Sequence, residues 1–343
     1  MSDVAVKLTD LAVSGGCAAK YSAARLEELL RGFVPVEAEN LLVGLDPADD
    51  AAVYKLDDER ALVFTVDFFP PLVDDPADYG AIAATNALND VFAMGGRPLL
   101  ALSIVCFPEE LPTETLGQIL AAADERVRAA GALLAGGHTI RDREPKYGLA
   151  VIGTAAPDGI WPKSGARAGD ALFLTKPLGT GLVLDAVRKG TLDEQYRRRA
   201  IDWMRTLNAD VAAALQPFWP HAVTDVTGFG LFGHAHEMAS RSGARLLLDA
   251  GSLPALDGAL EAARAGIRTG GDRRNREFAA AHVDAAGVPE ELEALGFDPQ
   301  TAGGLLVSLP AEKGLSLEAE LRARDLFVRR IGAVEDGAGV VVR

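Results

Sequence analysis

The stretch Ala77–Met94 sets the strongest limit on how this chain can fold. Tyr79, Ile82, Leu88, Val91, Phe92 and Met94 are spaced mostly by alanines, so a helix here is apolar almost all round. Such a helix has no face to give to water and belongs inside a protein. The rest of the chain must therefore wrap around it. The same helix carries Asn86 and Asp90, four residues apart and so on one face. Burying a carboxylate is costly unless a cation or several donors satisfy it. A lone buried Asp often caps a neighbouring loop. With an amide one turn away, a metal or phosphate site is the better explanation.

At 343 residues the chain has room for two domains. Its 34 Lys and Arg stand against 49 Asp and Glu, a formal net charge of −15, which argues against a nucleic-acid partner. An acidic protein can still bind ATP where divalent cations bridge its carboxylates to the phosphates. No apolar stretch is long enough to span a bilayer, so no membrane partner is expected, and the first residues lack the basic and apolar blocks of a signal peptide. Two cysteines, Cys17 and Cys106, make no disulfide framework, and a cytoplasmic location is expected.

Residues 51–56 and 61–67 read as a hairpin around Asp57-Asp58-Glu59-Arg60. A strand follows the buried helix over 98–107, then a helix after Thr113, then strands near 132–136 and 148–155. We read this as a strand-helix-strand-strand-helix-strand kind of order, an α+β domain. The turn-rich run Ala156–Pro162 marks a domain boundary. Beyond it, strands are expected at 171–175, 223–225, 244–249, 304–309, 327–333 and 338–342. Helices are expected at 179–189, 193–215, up to 241, 255–265 and 311–323. The first 20 residues are polar and without period, and are expected to be mobile when unliganded.

Aspartates recur at strand ends: Asp49 and Asp50 before Ala51–Tyr54, Asp67 after Leu62–Val66, and Asp225 after Val223-Thr224. Any one of them is most often a turn residue or helix cap. Together, and without His or Cys companions, they suggest oxygen ligands for a hard cation such as Mg²⁺. Glycine-rich turns at Gly136-Gly137-His138-Thr139, Lys176–Gly181 and Thr301–Gly304 offer backbone to phosphate. None is a P-loop, and each alone is more often a tight turn. Cys17 lies in Ser14-Gly15-Gly16-Cys17-Ala18-Ala19-Lys20, a segment expected to be exposed, with Lys20 placed to favour the thiolate. It is a candidate nucleophile or chalcogen carrier, against the plainer reading of a loop cysteine. Cys106, inside an apolar strand, fits an inert role.

These blocks together resemble the selenophosphate synthetase family. They include Gly16-Cys17-x-x-Lys20, Asn40–Gly44, Asp49–Tyr54, Thr65–Phe69, Ala84–Gly96, Ala135–Ile140, Leu174–Gly179, Thr224–Leu231 and Asp298–Gly304. The resemblance runs in register from about residue 8 to the C-terminus. Several blocks are shared with aminoimidazole ribonucleotide synthetase and thiamine-monophosphate kinase, whereas Cys17 and Lys20 select the selenium enzyme.

The resemblance implies ATP-dependent synthesis of selenophosphate from selenide and water, with release of AMP and orthophosphate. It implies Mg²⁺ on Asp50, Asp90 and Asp225, and ATP contacts from Lys20, Pro47, Ala48, Asp49, Asp67, Asn86, Asp90, Gly137, His138 and Thr139. Cys17 and Lys20 would be catalytic. It also implies a homodimer and an α+β architecture in three parts. These are a mobile N-terminal catalytic segment (1–20), a ferredoxin-like β-sheet domain (21–156) whose sheet pairs with its partner's in a barrel, and an α/β sandwich domain (157–343). Family members often carry a second cysteine two positions after the first. This chain has Ala19 there, so a mechanism that needs two thiols is in doubt. Two other readings stand beside this one: a superfamily kinase or ligase for an organic substrate, and a non-catalytic nucleotide- or selenium-binding protein.

Overall fold

A computed structural model of the chain describes residues 7–21, 23–34, 38–45 and 48–343. Among them, a short helix α1 (Ala23–Leu30) precedes the first of two sheets. That sheet contains β1 (Leu41–Val43), β2 (Ala52–Lys55), β3 (Ala61–Phe69), β4 (Arg97–Phe107), β5 (Leu133–Arg141) and β6 (Lys146–Ala155), in the order β1-β2-β3-β6-β4-β5. The expected hairpin is β2–β3, with Ala52 opposite Phe64 and Lys55 opposite Ala61. Along β3, Ala61, Val63, Thr65, Asp67 and Phe69 point inward, whereas Phe64, Val66 and Phe68 face out. This two-residue alternation gives the sheet one buried face.

On that face lie α2 (Pro76–Ala93) and α3 (Thr113–Ala129). Asp75 caps α2 by accepting from the Asp78 amide at 2.8 Å, and Pro76 suits the first turn, where no amide is needed. The helix ends as Gly95 turns to φ +75°. Every residue from Asp78 to Ala93 is buried, as the apolar surface required. The two helices touch backbone to backbone at Gly80, where an added Cβ would stand 2.2 Å from the Ile119 carbonyl oxygen.

The element order corrects the sequence expectation. After β3 the chain runs helix, strand, helix, strand, strand, so that α3 crosses over between the parallel neighbours β4 and β5. Such a crossover is the only short way to join parallel strands. The mixture of helices and a sheet is kept, but the strand-helix-strand-strand-helix-strand order is not.

The second sheet contains β7 (Asp170–Leu174), β8 (Ala222–Asp225), β9 (Arg245–Leu248), β10 (Val283–Asp284), β11 (Leu305–Pro310), β12 (Arg329–Glu335) and β13 (Gly339–Val342). Their order is β10-β13-β9-β12-β7-β11-β8. The helices are α4 (Thr180–Arg188), α5 (Glu194–Arg205), α6 (Ala209–Leu215), α7 (Gly230–Ser242), α8 (Ala259–Arg264), α9 (Gly270–Ala279), α10 (Glu290–Phe297) and α11 (Ala311–Ala323). Strands β7 and β8 are buried at every position, so both faces of the sheet are covered there.

The continuous helix expected over 193–215 is instead α5 and α6, interrupted at Thr206-Leu207-Asn208. The Asn208 amide takes Asn89 Oδ1 at 2.9 Å, and its side chain donates to the Gly303 carbonyl at 3.0 Å. Buried polar anchoring of this kind outweighs helix continuity. The strongly polar α9, the short α10 and the two-residue β10 were not expected from the sequence. No helix among the described residues is long and apolar enough to cross a membrane.

The close approach at Gly80 gives a paired expectation. Gly80→Ala should lower stability by about 1–3 kcal/mol through overpacking. Gly117→Ala, on α3 with open space around its Cβ, should raise it by roughly 0.5–1 kcal/mol. Chemical denaturation of the two variants checks both signs.

Candidate active site

The two sheets bring four aspartates together. Asp67 projects from the inner face of β3, and Asp90 from α2, which lies against that face. Thr65, two residues before Asp67, donates its hydroxyl to Asp90 Oδ2 at 2.5 Å. Asp225 ends β8 on the second sheet. Asp50, in the loop before β2, accepts from the Thr224 hydroxyl at 3.1 Å and so stands against the same strand end. All four side chains are largely buried.

Their electrostatics show crowding. Burial, followed by the charges of Asp225 and Asp67, holds the Asp90 carboxyl well above the ordinary carboxylate range. Burial and then Asp50 push Asp225 up to about 8. Burial and then Asp50 push Asp49 to about 7. Asp50 Oδ2 and Asp225 Oδ2 are buried with no hydrogen-bond partner. Orphaned carboxylate oxygens that repel one another suit a hard cation. Even so, no three His, Cys, Asp or Glu side chains among the described residues close into a ready-made metal cage.

Asn86 and Asp90, one turn apart on α2, both lie among the aspartates. Asn86 is fully buried and donates its amide to Asp67 Oδ2 at 2.6 Å. Its carbonyl oxygen accepts from the Ala302 amide at 2.7 Å and from Cys17 Sγ at 3.4 Å. Lys20 Nζ reaches the same Asp67 oxygen at 2.6 Å. One hydrogen-bonded chain thus joins the thiol, the amide, a carboxylate and an ammonium.

The placement of Cys17 corrects its expected exposure: the residue is 2% exposed. It sits in a short 3-10 turn, Gly16–Ala19. Several contacts fasten the segment. The Thr9 hydroxyl donates to Asp74 at 2.6 Å, the Val13 amide to Glu144 at 2.8 Å, the Gly16 amide to the Pro70 carbonyl at 3.0 Å and the Cys17 amide to the Thr301 hydroxyl at 3.3 Å. Arg274 of α9 also donates to the Ala18 carbonyl. Burial pushes the Cys17 thiol up to about 12. Lys20 pulls it down, as its position in the sequence suggested, but less strongly. In this arrangement Cys17 is a neutral thiol at neutral pH. Burial opposes the charge on Lys20, yet Asp67, Cys17 and Asp90 together raise its pKa above the usual value.

Two lysines matter that the sequence did not single out as site residues. Lys163, buried in the connection between the sheets, donates to Asp50 Oδ1 at 3.0 Å and lies 3.9 Å from Glu237 of α7. Its backbone amide donates to Asp49 Oδ2 at 2.9 Å. Lys176, quoted earlier only as part of a glycine loop, is buried among carbonyls and donates to Thr206 at 2.5 Å and Ala302 at 2.7 Å. Burial lowers its pKa to about 7. Lys163 lies in a turn-rich linker 113 residues from Asp50, and no periodic signal could have found it.

The remaining expectations divide. Ala48 adjoins Asp49 and is half-buried, whereas Pro47 lies outside the described residues. Gly137, His138 and Thr139 are on β5 at the open edge of the first sheet, all exposed. Gly137 shares a cross-strand row with Ser103, Leu149 and Asp67. Three strand spacings put it roughly 14 Å from Asp67. Within one chain these three residues do not join the aspartates. The glycine has a packing reason besides: a Cβ there would meet the Ser103 carbonyl oxygen at 2.2 Å.

Comparison with known proteins shows the family. The AIR synthase related protein family matches with its N-terminal domain over residues 48–155 and its C-terminal domain over 167–343. The chain is 46% identical over 312 residues to selenide, water dikinase 2 of Peptoclostridium acidaminophilum, covering 91% of this chain and 90% of that protein. It is 44% identical over 343 residues to selenide, water dikinase of Myxococcus xanthus, covering 98% and 96%. The structure of AaThiL complexed with AMPPCP and TMP superposes with a TM-score of 0.69 at 20% identity, covering 99% and 96%, and shares the fold.

The raised carboxyls fix a pH dependence. A carboxyl with a higher pKa folded than unfolded gives up its proton more readily on unfolding, so stability falls as pH rises between the two values. For Asp225 that window runs from the ordinary 3.8 up to about 8. Lys176, depressed to about 7, opposes the trend only near its top. Chelator-treated protein should therefore lose thermal stability through this window. Asp225→Asn should flatten the slope, and added Mg²⁺ should restore stability chiefly at the upper end.

Proposed function

The chain belongs to the selenide, water dikinases of the AIR synthase related superfamily, and we propose that Cys17, Lys20 and the surrounding aspartates carry the family's chemistry in it. The enzyme makes selenophosphate from selenide and water at the expense of ATP, with AMP and orthophosphate as the other products. The observation that carries the site assignment is the continuous link from Cys17 through Asn86 and Asp67 to Lys20. It sets a thiol suited to selenium chemistry beside the carboxylates suited to cation-bound phosphate.

In this reading Asp50, Asp90 and Asp225 hold Mg²⁺, as the orphaned oxygens and mutual repulsion of these carboxyls favour. When bound, the cation neutralises phosphate charge and orients the γ-phosphorus for in-line attack. Lys20 is the mobile cation: its ammonium rests on Asp67 and can turn to a phosphate oxygen while Asn86 keeps the carboxylate in place. Ala48 and Asp49 line the approach to Asp50. Lys163 keeps one oxygen of Asp50 occupied and leaves the other free.

The N-terminal segment covers the site and excludes bulk water while selenide attacks the γ-phosphorus. The new Se–P bond forms as the γ-phosphorus leaves its bridging oxygen, and the resulting ADP is then split by water. Cys17 serves the selenium side alone, since Ala19 offers no second thiol. Both cysteines are free and buried, which fits a reducing cytoplasm.

A homodimer belongs to the same reading. Tyr54, Phe64, Val66, Phe68, Leu102 and Ile140 of the first sheet are 43–52% exposed on one uncovered side. A contiguous apolar patch of this kind marks an interaction surface. Pairing of two such sheets into a barrel would cover it. It would also give Gly137, His138 and Thr139 an ATP to contact, that of the neighbouring copy.

Incubating the protein with Mg²⁺, ATP and selenide should yield selenophosphate by phosphorus NMR, with AMP. Cys17→Ser should abolish selenide-dependent AMP formation. Absence of AMP from the wild-type mixture would sink the proposal, and an unaffected Cys17→Ser variant would point to a superfamily kinase instead. Val66→Lys should shift the sedimenting species from dimer to monomer.

A further inference from the structure

A cavity of about 520 Å³ lies behind the Cys17 segment, away from the aspartates. None of Asp50, Asp67, Asp90 and Asp225 lines it, so the ATP reading does not use it. Its wall holds five cationic side chains, Lys7, Arg188, Lys189, Arg197 and Arg268, against three carboxylates, Asp10, Asp74 and Asp185. In a chain of net charge −15 this is a local reversal of sign.

Within the lining itself the cations stay in excess. Asp185 is shared by Arg188 and Lys189. Arg197 and Arg268 pair with Glu194 and Glu290, which are 70% and 84% exposed and so are screened by water. Arg268 is held rigidly by the Ala263 carbonyl at 2.8 Å and the Ile267 carbonyl at 2.7 Å. The α4 N-terminus adds little, because Gln300 and Asp298 already take its first amides. The attraction for an anion comes from the side-chain cations.

The cavity also lies against the segment that carries the thiol. Ser14, Gly15, Ala18 and Thr301 form its inner wall, and Thr301 accepts the Cys17 amide. A second, far smaller void is lined by Cys17, Lys20 and Arg274, and Ala18 lines both. The residue next to Cys17 is thus common to the basic cavity and to the small void that touches Cys17.

We infer that this basic cavity admits the small anionic selenium substrate, hydroselenide, to Cys17 by a route separate from that of ATP. The inference rests on the selenide reading of the site. A concave surface of one sign concentrates ions of the other and speeds their arrival, an effect that salt weakens. Orthophosphate or selenophosphate leaving the site would share this anion chemistry, so the test must separate arrival from departure.

The test uses the full chain without nucleotide. Rates of Cys17 alkylation by anionic iodoacetate and by neutral iodoacetamide are compared by mass spectrometry, with Cys106 as the internal reference. The ratio of the two rates cancels the opening needed to reach a buried thiol. We expect the iodoacetate preference at Cys17 to fall about fivefold in Lys189→Glu/Arg268→Glu, and in wild type as salt is added. The selenide kcat/KM should fall in parallel, with a salt dependence weaker than in wild type. Should the double variant fail to fold, Arg188→Gln, at a side chain 71% exposed, and the wild-type salt series carry the test. An unchanged alkylation ratio overturns the inference. So does a changed ratio with selenide kcat/KM unaffected, which would assign the cavity to departing phosphate and leave the dikinase reading intact. If wild type has no selenide-dependent activity, that reading fails and the inference with it, while the alkylation ratio still reports the anion preference of the cavity.

Discussion

The side chain of Asn86 ties the site together. Its amide nitrogen donates to Asp67 on the first sheet, while its oxygen accepts from Ala302 of the second domain and from Cys17 of the N-terminal segment. A fully buried amide must satisfy such groups or incur a cost of about 1–3 kcal/mol for each one left unmade. Only one relative placement of the three segments satisfies them together. The apolar surround of α2 makes that placement rigid, because the helix cannot rotate without exposing its alanines and leucines or burying an unpaired Asn86.

Around this tie the balance of charge is deliberately incomplete. Asp49, Asp50, Asp67, Asp90 and Asp225 stand close enough to raise one another's pKa or that of a neighbour, and Lys20 and Lys163 answer only part of the charge. The remainder is what a cation and its phosphate ligand would resolve. On the other side of the N-terminal segment the sign is reversed, with cations lining a cavity. The segment thus stands between an acidic compartment and a basic one, with a neutral thiol in the wall. A chain of net charge −15 achieves this by sorting its charges in space.

The first sheet was legible to a good degree because its signals are local. The β2–β3 hairpin follows from alternation around a polar turn, and α2 from unbroken apolar surface. The strand order was not legible, since pairing β6 between β3 and β4 depends on contacts remote along the chain, such as Phe64 with Ile152. The break between α5 and α6 escaped for the same reason: its cause, Asn89, lies 119 residues from Asn208. Cys17 was identified as chemically distinctive but placed wrongly. Glycines beside it signal freedom in the unfolded chain, and say nothing of the pocket formed by Thr301 and Asn86.

The sequence by itself singled out the candidates for the chemistry. Buried helical Asn86 and Asp90, strand-end Asp50, Asp67 and Asp225, and the Cys17–Lys20 segment could all be singled out from type and spacing, because burial and short-range geometry follow from local pattern. Tertiary structure alone decided which of them meet. It put Lys163 on Asp50, sank Cys17 until burial outweighed Lys20, and left Gly137–Thr139 across the sheet from Asp67. Those outcomes depend on distance and desolvation between segments remote along the chain, and neither quantity has a value until the chain is packed.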